Sequence, residues 1–123
     1  MQERPPEGPV RCTTSRPRPD VCVAHLEGEL DMATTPFVAD RLRRLTATRP
    51  TALLVDLGGV THLAAAGLTL LVTAMKNDDD IHGRLHVVGV TGNRPVERAL
   101  RVAGLLPVLD IHDDLQTLLD ALS

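Results

Sequence analysis

The groups in this chain best suited to chemistry are five histidines, two cysteines and a pair of carboxylates placed at strand ends. His25, His62, His82, His86 and His112 fall in no spacing that would set ligands side by side on one helix face. His82 and His86 are four residues apart, but Gly83 lies between them and the surrounding pattern reads as strand. Cys12 and Cys22 have no metal-type spacing, and Cys22 and His25 fall on opposite faces of one strand, which excludes a local Cys–His dyad. A disulfide between the two cysteines would need their strands to pair and an oxidising compartment. Asp31 and Asp56 stand at the carboxyl ends of strands, where α/β sheets place their sites. No nucleophile or histidine stands at a matching position to turn them into an acid–base pair. Gly58-Gly59 and the run Gly89 to Asn93 lack the lysine of a phosphate loop, and Asp78-Asp79-Asp80 reads as a solvated loop. By spacing alone the chain has no catalytic residues, no metal ligands and no cofactor, so it is not expected to be an enzyme.

The elements that would position these groups follow from periodicity. With 123 residues, 43% hydrophobic and 24% charged, the chain is a single globular domain. Phe37 is its one aromatic residue, so the core must be aliphatic and stacking platforms for single-stranded nucleic acid are missing. A net charge of −3 argues against nucleic acid as a partner, despite the basic stretch of Arg4, Arg11, Arg16 and Arg18. That stretch is either a loose terminus or an arm that steers an acidic partner. With no secretory segment and no apolar run long enough for a bilayer, the expected location is the cytoplasm, away from membranes. Residues 1–9 read as a tail and 10–123 as the domain.

Val10 to Thr14 predicts a short edge strand, Val21 to Leu26 a strand covered on both faces, and Ala52 to Leu57 another. Thr34 or Thr35 followed by Pro36 opens a first helix carrying Val38, Leu42 and Leu45. Leu68, Leu71, Val72 and Met75 form the stripe of a second helix after Gly67. Arg84 to Val90 reads as strand, Asn93 caps a third helix that Gly104 ends, and Asp113 or Asp114 caps a fourth. Val108 to Asp110 reads as a short last strand. The predicted fold class is α/β, a small mixed sheet of 4–5 strands with about four helices mainly on one face.

Several local patterns then occur in a familiar order: Gly28-Glu29-Leu30-Asp31, Leu53-Leu54-Val55-Asp56-Leu57 with Val60-Thr61-His62-Leu63, Ala64-Ala65-Ala66-Gly67-Leu68, and Asn93-Arg94-Pro95-Val96 closing on Ala103-Gly104-Leu105. Together they resemble the STAS domain, especially bacterial anti-sigma factor antagonists, over residues 10 to 123. The resemblance implies a module that binds an anti-sigma factor acting also as a serine kinase, in a partner-switching system of transcription regulation. In that family the turn before the second helix reads Asp-Ser-Ser-Gly or a close variant, and its first serine takes the phosphate. Here Ala64, Ala65 and Ala66 stand in those places, so Ala65 occupies the phosphoacceptor position without a hydroxyl.

The expected partner surface comprises Asp31, Thr34, the turn Ala64, Ala65, Ala66 and Gly67, and Leu68, Thr69 and Val72 on the second helix. Thr61 and Thr69 flank the turn as other hydroxyls. The apolar excess of Leu70 and Ala74 would equally serve a homodimer. The alternative function is an accessory module that binds a nucleotide or lipid in the alanine-rich niche.

Overall fold

A computed structural model describes residues 10–76 and 85–122. Their elements run β1 (Val10–Arg18), β2 (Val21–Leu30), α1 (Thr35–Ala47), β3 (Ala52–Leu63), α2 (Ala65–Lys76), β4 (Leu85–Val88), α3 (Arg94–Val102) and α4 (Leu115–Ala121). The sheet has the order β1-β2-β3-β4. β1 lies antiparallel to β2, while β2, β3 and β4 are parallel and joined by helical crossovers. The predicted mixed sheet with helices mainly on one face is what forms.

Strand alternation divides the interior in two. Cys22, Ala24, Leu53, Val55, Leu85 and Val87 face a large core closed by Val38 and Leu42 of α1, Leu71 of α2 and Val96 and Leu100 of α3. Val21, Val23, Ala52, Leu54 and Val88 face the other way, onto Leu118 and Leu119 of α4. β2 and β3 are therefore apolar at successive positions because both of their faces are covered. Phe37 is half-buried beneath the Arg41 guanidinium, whose carbon sits 5.4 Å from the ring centroid.

Three strands run past their patterns, and β4, expected to reach Val90, stops at Val88 because Gly89 turns the chain at a positive φ. β1 continues past Thr14 to Arg18, because an edge strand tolerates Pro17 and a register shift between Ser15 and Arg18 absorbs it. β2 continues to Leu30, and β3 runs through Gly58-Gly59 to Leu63, so Thr61 and His62 lie in a strand and not in a loop. Register shifts between β2 and β3 occur along this extension, where the glycines break the pattern. The last strand expected at Val108 to Asp110 reduces to one parallel bridge between Val87 and Ile111. The tail at 1–9, Asp78-Asp79-Asp80 and His82 lie outside the described residues.

Side chains of β1 tie the fold together. Arg16 donates to the Pro19 carbonyl and to Thr48 Oγ1, and Arg18 donates to the Leu119 carbonyl at 2.7 Å. The second contact fastens the edge strand to α4, so these arginines are not a free arm. Cys12 pairs with Leu26, four residues along β2 from Cys22, or about 13 Å. That separation is too great for a disulfide, and both thiols are free and buried. Burial pushes the Cys12 thiol up, against the opposing charge of Arg41.

Gly89 marks a close approach between β4 and β3. It sits at φ +85°, and an added Cβ would fall 2.3 Å from the Gly58 nitrogen and 2.8 Å from the Gly58 Cα. Gly89→Ala should cost about 3 kcal/mol or more in denaturant unfolding, since backbone strain and a backbone clash coincide. Asp114 caps α4 by accepting from the Thr117 N–H at 2.8 Å, and that hydrogen bond holds its carboxyl below the ordinary value. A lowered folded pKa means the contribution is present above the usual carboxylate range and is lost as pH falls through the folded value. Asp114→Ala should therefore lower the unfolding midpoint at neutral pH and remove this component of acid sensitivity in a pH series.

Candidate functional site

The carboxyl ends of β2 and β3 bring the predicted surface together. Ala64 N–H donates to the Leu30 carbonyl at 2.9 Å, which seats the start of α2 against the end of β2. Ala64 occupies the cap position and its carbonyl accepts from Gly67 and Leu68, but its methyl group offers no side-chain cap. Ala65 opens the helix and is exposed, Ala64, Ala66, Leu68 and Val72 are half-buried, and Thr69 is exposed.

Two of the predicted surface residues lie beneath it. Thr34 is 3% exposed. Its Oγ1 donates to the Glu29 carbonyl at 2.8 Å and accepts from the Asp31 N–H. Although it stands at the start of α1, its side chain does not cap the helix, because this chain reversal uses it. Gly67 is buried where a Cβ would meet Leu63 Cδ1 at 2.6 Å and Leu30 Cβ at 2.9 Å. Asp31 is half-buried and braces the same reversal, accepting from the Ala33 and Thr34 N–H groups. Met32, two residues beyond the strand end that holds Ala64, is 79% exposed.

Beside this turn a groove of about 830 Å³ runs between the start of α2 and α3. Its walls include His62, Leu68, Arg94, Arg98, Arg101 and Val102. Val102 is 82% exposed, at the end of a helix whose buried side is Val96 and Leu100. Asn93 begins that helix without capping it. Its Nδ2 donates instead to the Leu57 and Val60 carbonyls, each at 2.9 Å, and so anchors α3 to β3. Sequence reading missed Met32, the three arginines and Val102 as surface features. The i, i+4 spacing of Arg94 and Arg98 opposite an apolar stripe was the available signal.

On the other face of the sheet the structure assembles groups that linear spacing keeps apart. His25 and Asp56 are directly paired in the β2–β3 register, and His25 Nδ1 lies 2.9 Å from Asp56 Oδ2. Ser15 of β1 lies 3.0 Å from the other ring nitrogen. The sequence left Asp56 without a histidine or nucleophile, and cross-strand register supplies both. The order of groups is that of a serine-hydrolase triad, but acyl transfer also needs donors aimed at an oxyanion and a substrate cleft. The groove described above is formed by α2 and α3, which pack against the opposite face.

His86, Asp110 and His112 gather on the same face as His25. His86 Nδ1 hydrogen-bonds Asp110 Oδ2, and His112 Nε2 stands 3.2 Å from Asp110 Oδ1. Partial burial opposes ionisation of Asp110, but its hydrogen bonds and the attraction of both imidazoles outweigh this and hold the carboxyl below its ordinary value.

A family model described as the STAS domain matches residues 14–118. An anti-sigma factor antagonist from Mycobacterium paratuberculosis superimposes with a TM-score of 0.80 at 25% identity, covering 91% of this chain and 92% of that one. The anti-sigma factor antagonist SpoIIAA in its unphosphorylated form gives 0.74 at 16% identity, covering 91% and 96%. A sulfate transporter family protein from Wolinella succinogenes gives 0.64 at 19% identity, covering 80% and 81%. At such identities the last two establish likeness of fold alone. Among curated proteins none matches the sequence significantly. No helix among the described residues is long and apolar enough to cross a membrane.

Gly67→Ala should lower stability by about 1–3 kcal/mol, because α2 must move away from Leu30 and Leu63 to admit a methyl group. Urea unfolding measures the cost, and a change below the error of the fit would mean that α2 has freedom to shift.

Proposed function

The chain belongs to the STAS domain family, and from that premise we propose that it is a regulatory protein-binding module of the anti-sigma factor antagonist type, without a phosphorylation switch at its recognition turn. The observation that carries this reading is the exposed Ala65 at the first position of α2. A helix amino terminus accommodates a phosphate at little cost, through its free N–H groups and partial positive charge. The same phosphate would place a charge of about −1.5 to −2 against any partner seated there. Alanine keeps the helix start and its shape while removing the oxygen that accepts the group. Binding at this surface is therefore constitutive with respect to a serine kinase.

The proposed contact surface is Asp31, Met32, Ala64, Ala65, Ala66, Leu68, Thr69 and Val72, continued by the arginine groove of α3. Thr34 and Gly67 support it from below. Met32 and Val102 offer exposed apolar contact, and Arg94, Arg98 and Arg101 favour acidic residues on the partner. The partner is an anti-sigma factor of the serine-kinase class, met in the cytoplasm of a bacterium. Neither nucleic acid nor a membrane is involved, and a homodimer through α2 is the competing use of the surface.

Incubation with such a kinase and ATP should leave the intact mass of the native chain unchanged, while Ala65→Ser gains one phosphate. A stoichiometric phosphate on Thr61 or Thr69 of the native chain would overturn the unswitched reading. Arg98→Glu should weaken binding to the captured partner about tenfold or more, with a steeper loss at low salt.

A second reading rests on the size and charge of the groove. About 830 Å³ bounded by three arginines would hold a small anionic ligand such as a nucleotide. A ligand present at 100 times its dissociation constant should stabilise the fold by about 2.7 kcal/mol, which thermal-shift screening reads directly.

A further inference from the structure

The groups at the open edge of β4 converge as metal ligands do. Val87 N–H donates to the Asp110 carbonyl, and His112 N–H donates to the Val87 carbonyl, each at 2.9 Å. This bridge holds Ile111 beside Val87 in parallel register. Residues flanking a paired position share the opposite face, so Asp110 and His112 come to the side on which His86 lies. One donor atom from each of the three residues lies within 4.8 Å of the others.

We propose that His86, Asp110 and His112 form a binding site for one divalent transition-metal ion, zinc by its donor chemistry, on the α4 face of the sheet. Two imidazole nitrogens and one carboxylate suit zinc, whereas calcium and magnesium take oxygen ligands. His112 Nε2 is enclosed and faces Asp110 Oδ1 without the alignment of a full hydrogen bond. It lies 3.2 Å from Asp110 Oδ1, a separation that fits two ligands each about 2.0–2.2 Å from a shared ion. The two rings are inclined at 70° with centroids 5.6 Å apart, so they converge on Asp110 from different directions. The side chain of His86 is 9% exposed and that of Asp110 46%, which gives the ion a rigid inner ligand and an open approach. At His86 the ion takes the place of the Nδ1 proton, and the neutral ring carries its proton on Nε2. The fourth position is left to water.

Such an ion would pin the segment 110–112 to β4, where one bridge now holds it, and would steady the entry to α4. The site lies on the sheet face opposite α2, so it does not depend on the recognition turn.

Calorimetric titration of the full chain with zinc chloride should give one site per chain. Saturating zinc should raise the thermal midpoint by about 5 °C or more. His112→Gln and Asp110→Asn should each weaken binding by about tenfold to a hundredfold. Because His86 is buried and its replacement endangers the fold, titration of the unaltered chain with cobalt(II) supplies a separate readout. A low-coordinate nitrogen–oxygen site gives strong visible absorption, which zinc then abolishes. Absence of saturable heat, a cobalt spectrum no stronger than that of the free ion, or undiminished binding in both variants would each overturn the proposal. The last outcome would assign the metal to other histidines.

Discussion

The parallel pairing of β2 with β3 is the constraint on which the remaining structure depends. Both strands are apolar at successive positions over their first halves, so each must be covered on two faces. Among the described residues the helices α1, α2 and α3 close one face, and the short helix α4 closes part of the other. That inequality leaves a stretch of the second face beyond the reach of α4. Polar side chains occupy it, including Ser15, His25, Asp56, His86 and Asp110. His25, Asp56 and His86 are buried or half-buried and must find partners, and they find them in one another and in the more exposed Ser15 and Asp110.

The carboxyl end of the same pairing builds the surface proposed for recognition. Where β2 and β3 finish, the chain reverses at Asp31 on one strand and enters α2 at Ala64 on the other. The two connections touch through the Leu30 carbonyl and the space left by the missing side chain of Gly67. This close packing keeps Ala65 and Met32 outside and Thr34 inside. Such packing would let the proposed contacts form without the cost of ordering the chain on binding. Chemical switching, by contrast, needs a single oxygen atom, and that atom is absent from the residue at the exposed helix start.

The sequence by itself determined the order of the elements, the aliphatic core and the absence of a hydroxyl at Ala65. These are local properties: helical and strand periods repeat within one segment, and a methyl group is a covalent fact. The resemblance carried by the turn and by the end of the third helix was legible for the same reason. A cap at Asp113 or Asp114 was legible because a cap's partner lies three residues away, and the structure uses Asp114.

Only the tertiary structure decided which distant residues meet. The register of β2 against β3 set His25 beside Asp56, and the bridge at Val87 drew Asp110 and His112 to His86. No period in the chain encodes either meeting, because register is settled by cores and turns far from the residues involved. Asn93, and Thr34 or Thr35, read as helix caps, yet Thr34 and Asn93 each spend the side chain on carbonyls of the neighbouring strands. Arg16 and Arg18 read as a free arm and proved to be ties, since their acceptors lie on α4 and at the end of α1. A side chain's local preference says what it can bind, and the packing of remote elements says what stands within its reach.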